Sequence, residues 1–149
     1  MGLRKRNRLN GYDYNSVGYY FITICTQNKE KLFWKNDVPC REPDLSEQGK
    51  IVNQSIQEIE KVYSWITVDK YVVMPNHVHL LLRVDADVGV SISVVIGNMK
   101  RAVSRQVGAG VWQKSFHDHV IRGERDYLRI WEYIDGNPQK WSEDCFFET

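Results

Sequence analysis

Two histidines separated by one residue, His77 and His79, stand inside the run Met74-Pro75-Asn76-His77-Val78-His79-Leu80-Leu81-Leu82. Side chains alternate faces along a strand, so His77, His79 and Leu81 share one face while Val78, Leu80 and Leu82 share the other. Two imidazole nitrogens on one rigid face suit a divalent metal. A purely structural role competes, because zinc signatures ask for more ligands than two. His117-Asp118-His119 repeats the spacing, and alternation again puts its two histidines on one face. Four histidines together would make a zinc centre, or His117 and His119 would touch a substrate instead.

Near the end of the chain Tyr133 and Asn137 are four residues apart, which places them one turn apart on one helix face. A phenol and an amide oxygen could then enter one site. Tyrosine attacks poorly at its free pKa of about 10, and a metal or a neighbouring base makes it competent for covalent catalysis. The alternative is packing: Tyr133 against Trp131 and Ile134, with Asn137 ending the helix before Pro138.

These groups need a scaffold, and the pattern of the chain supplies one. Tyr19-Tyr20-Phe21-Ile22-Thr23-Ile24-Cys25-Thr26 is aromatic and β-branched and reads as a largely buried strand. Residues 28–49 carry Pro39 and Pro43 and no period, the mark of a long connection. Val52, Ile56, Ile59 and Tyr63 recur at helical spacing. Residues 66–74 predict a second strand, and Pro75-Asn76 a break before the histidine strand at 77–84. Ile92, Val95, Ile96, Met99 and Val103 predict a helix from Ser91 that stops near Gly108. A fourth strand at 115–122 and a third helix at 124–137, closed by Pro138, complete the series. The order matches the split βαβ arrangement of ferredoxin-like α+β folds: an antiparallel sheet with helices on one face, followed by a C-terminal helix. To bring Tyr133 to His77, that last helix must dock over the histidine face of the sheet.

A length of 149 residues fits one domain, residues 1–149, with a basic N-terminal arm at 1–10. Twenty basic and nineteen acidic side chains give a net charge of +1, so overall charge argues neither for nucleic acid nor against it. Its distribution is more informative. Arg4, Lys5, Arg6 and Arg8 crowd the N-terminus, and Lys100, Arg101 and Arg105 lie towards the end of a predicted helix, which makes all seven candidate phosphate contacts. Cys25, Cys40 and Cys145 are odd in number and widely spaced, as expected of reduced thiols rather than a disulfide framework. No secretory pattern opens the chain, and no apolar run approaches the roughly 20 residues that span a bilayer, so a soluble cytoplasmic protein without membrane contact is expected.

The histidine run resembles the His-hydrophobe-His motif of the single-tyrosine transposases of the HUH nuclease superfamily, the IS200-like transposases. Tyr133-Ile134-Asp135-Gly136-Asn137-Pro138 resembles the Tyr-Ile-x-x-Asn-Pro pattern of their branch associated with repetitive extragenic palindromes (REP). Gly11-Tyr12-Asp13-Tyr14 leading into the first strand, and Trp112-Gln113-Lys114-Ser115-Phe116-His117-Asp118-His119-Val120-Ile121-Arg122, resemble further blocks of that family, in its order. The resemblance implies a DNA-nicking and strand-joining enzyme. His77, His79 and Asn137 would hold a magnesium or manganese ion, and Tyr133 would attack the scissile phosphate of single-stranded DNA to leave a 5′-phosphotyrosine. It also implies a folded DNA hairpin, a REP-like palindrome, as partner, and favours a monomer over a homodimer. A catalytically silent hairpin-binding module of a domesticated transposase is the alternative. A silent binder has no need of His77, His79, Tyr133 and Asn137 together.

Overall fold

The computed structural model describes residues 17–144, so the arm residues Arg4, Lys5, Arg6 and Arg8 lie outside the described residues, as does Cys145. Four strands form one sheet: β1 (Gly18–Cys25), β2 (Ile66–Val73), β3 (His77–Val84) and β4 (His117–Ile121). Three helices join them: α1 (Glu47–Val62), α2 (Ile92–Val107) and α3 (Glu124–Gly136). The strand order is β2-β3-β1-β4, and every neighbouring pair is antiparallel. This is the ferredoxin-like α+β arrangement expected from the pattern.

The two central strands are covered on both faces. Tyr20, Ile22 and Ile24 of β1 and Val78, Leu80, Leu82 and Val84 of β3 join Val52, Ile56 and Ile59 of α1 and Val95, Ile96, Met99 and Val103 of α2 in the main core. The opposite face of β3 gives Leu81 to a smaller core with Ile121, Ile130 and Ile134, where α3 lies. Among the described α-helices, α3 is therefore the one on the face that carries His77 and His79. Both longer helices begin on a serine. Ser46 accepts a hydrogen bond from the Gly49 amide at 3.0 Å, and Ser91 does the same for Val94 at 3.4 Å. At its far end α2 stops on Gly108, whose φ of 89° is a conformation that few other residues tolerate.

Three local features fix α3 and the chain beyond it. Pairing of β2 with β3 slips between Val68 and Lys70, so Asp69 is an extra, bulged residue. Asp69 accepts a hydrogen bond from the Tyr127 hydroxyl of α3 at 2.8 Å, and Lys70 Nζ reaches Asp135 at the other end of that helix, also at 2.8 Å. The α3 helix ends before Pro138, as the pattern predicts, but the chain then turns again. Proline lacks an amide hydrogen, which the first turn of a helix does not use, and here it opens a 3-10 segment, Pro138–Glu143, with Trp141 wholly buried. The long connection is anchored. Phe33 and Trp34 are buried, the Leu32 and Phe33 amides bond to Pro75 O, and Trp34 Nε1 donates to Val73 O at 2.8 Å. Asp37 accepts from Trp141 Nε1, and the Cys40 amide donates to Pro138 O, tying this connection to the 3-10 segment. Cys25 is buried and Cys40 half-buried. Among the described residues no helix is long and apolar enough to cross a membrane.

Candidate metal and nucleophile site

His77 and His79 point from the start of β3 into the gap under the end of α3, with ring centroids 4.6 Å apart. Both are buried, His77 completely. Each ring is held through Nδ1. His77 Nδ1 lies 2.8 Å from Asn76 Oδ1, and His79 Nδ1 lies 2.9 Å from Thr23 Oγ1 on the neighbouring strand. An amide oxygen can only accept, so the His77 proton sits on Nδ1 and Nε2 presents a lone pair. Asn76 is itself oriented by its Nδ2, which donates to Lys29 O. Hydrogen bonding on the far nitrogen is how metal-binding histidines are aimed.

Burial decides the charge of the pair. It pushes His77 down to about 3, although the Asp144 carboxylate lies 3.9 Å from its Nε2. Burial also holds His79 well below the ordinary range, with His77 beside it lowering it further and Asp144 partly opposing. At neutral pH both imidazoles are neutral, the form that binds a cation.

Tyr133 and Asn137 meet this pair. The Tyr133 ring lies 5.3 Å from the His79 ring and 6.3 Å from Phe21, edge-on to the latter. Its side chain is 42% exposed, so the phenol is open to an incoming group. Tyr127, the other tyrosine of α3, is different: burial and its bond to Asp69 push it up to about 12, which makes it a poor nucleophile. Asn137 is buried, and its Nδ2 donates to Asp144 Oδ2 at 2.8 Å. Its Oδ1 is buried and has no hydrogen-bond partner among the described residues. Leaving such an acceptor unsatisfied costs on the order of 1–3 kcal/mol, which a bound cation would recover. With the two imidazoles it forms a donor set that fits a divalent ion. A cavity of about 130 Å³ opens beside it, lined by Tyr133, Asn137, Lys140 and Asp144 among others.

The structure thus brings His77, His79, Tyr133 and Asn137 together. His117 and His119 share the sheet face, since both Thr23 and Phe21 of β1 pair with them and with His79 and Leu81 of β3, but they do not join the donor cluster. His119 Nε2 instead pairs with Asp126 Oδ2 at 2.7 Å, so no four-histidine centre forms among the described residues. Lys100 Nζ bonds to the carbonyls of Gln113, Lys114 and Ser115, fastening the turn before β4, while Arg101 donates to Asn98 and stays exposed, as does Arg105. Those three cations ride on α2, across the sheet from the histidine pair. The pattern gave no warning of Asn76, Thr23 and Asp144. Asn76 was readable only as a break, although its place next to His77 was the available signal.

Comparison with known proteins shows the family. The family model described as Transposase IS200 like matches residues 14–137. An uncharacterized protein of Haemophilus influenzae (strain Rd) is 32% identical over 169 aligned positions, covering 97% of this chain and 93% of its own. A solved REP-associated tyrosine transposase bound to a REP hairpin superposes with a TM-score of 0.70 at 20% identity, covering 90% of this chain and 74% of that one, a likeness of fold. By the extent of the family match, this chain belongs to the IS200-like transposase family.

Proposed function

We propose that this transposase nicks and rejoins single-stranded DNA beside a hairpin such as a REP-like palindrome, with Tyr133 as nucleophile and a magnesium or manganese ion held by His77, His79 and Asn137. The observation that carries the reading is the meeting of an exposed phenol, 5.3 Å from the His79 ring, with two buried neutral imidazoles and a nearby buried amide oxygen. When bound, the ion supplies neutralisation of charge on a phosphate oxygen. Asn76 and Thr23 keep both imidazole Nε2 atoms facing the substrate side.

The Tyr133 oxygen forms a bond to the scissile phosphorus and releases its proton, while the bond from phosphorus to the 3′-oxygen breaks and that oxygen takes up a proton. A 5′-phosphotyrosine and a free 3′-hydroxyl result, and the reverse attack by a 3′-hydroxyl joins a strand without ATP. Most of what the protein must supply is alignment of the attacking and leaving oxygens. Lys140, on the cavity wall, is placed to meet a neighbouring phosphate. One chain contributes every named group, which supports a monomer, and the substrate class supports a cytoplasmic setting.

A labelled hairpin oligonucleotide from sequence flanking the gene, mixed with the full chain and manganese, tests the proposal on a denaturing gel. A covalent adduct that needs metal and is absent in Tyr133→Phe is expected. Tight hairpin binding without an adduct in either metal would overturn it and leave a silent hairpin-binding module.

A further inference from the structure

We propose that Asp144 is a direct ligand of the metal centre, giving it one anionic oxygen donor beside two imidazoles and an amide. The proposal rests on the metal reading above and adds to its ligand set a residue seven positions beyond Asn137.

Asp144 follows the 3-10 segment, and its side chain is completely buried. Its Oδ2 lies 3.9 Å from His77 Nε2, and the ligand atoms of His77, His79 and Asp144 all fall within 4.8 Å of one another. Two donors bound to one ion at about 2.1 Å each stand between about 3.0 Å, when adjacent, and about 4.2 Å, when opposite. The 3.9 Å pair already fits that window, and the widest pair needs to close by about 0.6 Å. Among the described residues this is the group of histidine, cysteine and acidic side chains with metal-binding spacing.

Asn137 supplies a second, independent observation. By accepting from Asn137 Nδ2 at 2.8 Å, Asp144 fixes which way the amide faces, and the Oδ1 so oriented is buried without a hydrogen-bond partner among the described residues. Carboxylate and amide thus approach one spot from the same short stretch of chain. The chemistry of the set is specific: hard oxygen donors favour magnesium and manganese, whereas neutral imidazoles alone suit softer ions as well. Four protein donors would leave two of six positions for water or a phosphate oxygen. The Tyr133 hydroxyl is 3.5 Å from the same Oδ2, so the nucleophile stands next to this ligand.

Positioning of Asn137 alone is the competing role, and Asp144→Asn separates the two. An asparagine oxygen still accepts from Asn137 Nδ2, while the anionic donor is gone. Manganese binding to the full chain, followed by the electron paramagnetic resonance of free Mn2+, is expected to weaken about tenfold or more in Asp144→Asn and to vanish in the double variant His77→Ala, His79→Ala, with no DNA present. Binding in Asp144→Asn within twofold of the unaltered chain would overturn the proposal. If that holds while the histidine variant loses the ion, the metal reading of His77 and His79 stands. An unaltered chain that binds no manganese would overturn both. Should Asp144→Asn fail to fold, the unaltered chain labelled with 13C at aspartate carboxylates decides: a resolved Mn2+–13C coupling is expected, and its absence would overturn the proposal.

Discussion

Acid should loosen the metal-free protein well above the pH at which carboxylates titrate, because two histidines are buried in their neutral form. An unfolded chain binds a proton at His77 below about 6.5, whereas the folded one does so only near 3. Between those values the unfolded state holds more protons, so stability is lost as pH falls through 6.5. From pH 7.5 to 5 the His77 difference alone amounts to about 2 kcal/mol, at 1.36 kcal/mol per unit, and His79, lowered by the same burial, adds to it. That is a large share of the 5–15 kcal/mol typical of a domain. Urea unfolding of the chelated protein at pH 7.5, 6.5, 5.5 and 5 measures the slope. His77→Gln, which does not titrate, should flatten it by about one proton, and the double variant His77→Gln, His79→Gln should remove most of it. A midpoint that stays constant across the range, or an unchanged slope in the double variant, would refute the reasoning. Added manganese should raise the midpoint at pH 7.5 and lose that effect towards pH 5, as protons and metal compete for the same nitrogens.

Gly49 admits no side chain: a Cβ there would lie 2.1 Å from Phe33 O, so Gly49→Ala should cost about 2–3 kcal/mol or more in urea unfolding. Tyr133→Phe should leave the urea midpoint and hairpin affinity within error while abolishing the covalent adduct, since the side chain is exposed and its hydroxyl lies a long 3.5 Å from Asp144. Lys100→Ala should cost about 1–2 kcal/mol of stability through the lost bonds to the turn before β4, measured by thermal or urea melts. Arg105→Ala should change stability by under about 0.5 kcal/mol and, if it touches DNA, reduce the salt dependence of hairpin binding by about one ion.

Much of the scaffold was legible because its elements repeat. The β3 strand runs over the predicted 77–84, and the five apolar positions read as the buried face of α2 are its five buried residues. Serine and glycine signals marked both ends of that helix, since backbone groups left open at helix ends demand them. Residues 28–46 defeat such reading: Phe33 and Trp34 pack into the core from an irregular segment held by isolated hydrogen bonds to a turn and a strand edge, which impose no period. Asp144 was invisible for a related reason. It follows a 3-10 segment where the pattern marks only the end of a helix, and nothing in the sequence of residues 138–143 shows that the chain returns to His77. Charge alone also could not distinguish Lys100, engaged by three carbonyls, from Arg105.

The bulge at Asp69 works as a change of parity. Strict alternation would send Asp69 and Lys70 to opposite faces, yet both reach α3, through Tyr127 and Asp135. Beyond the extra residue Tyr71 faces α1, where its hydroxyl donates to Asn53, and Val72 lies across from His79 on the α3 side. Were Asp69 paired as an ordinary strand residue, with no bulge, that assignment would reverse for the rest of β2, setting Tyr71 under the tyrosine helix and Val72 in the opposite core. The resting place of Tyr133 over the histidines is thus partly a matter of counting in a strand that carries none of the reacting groups.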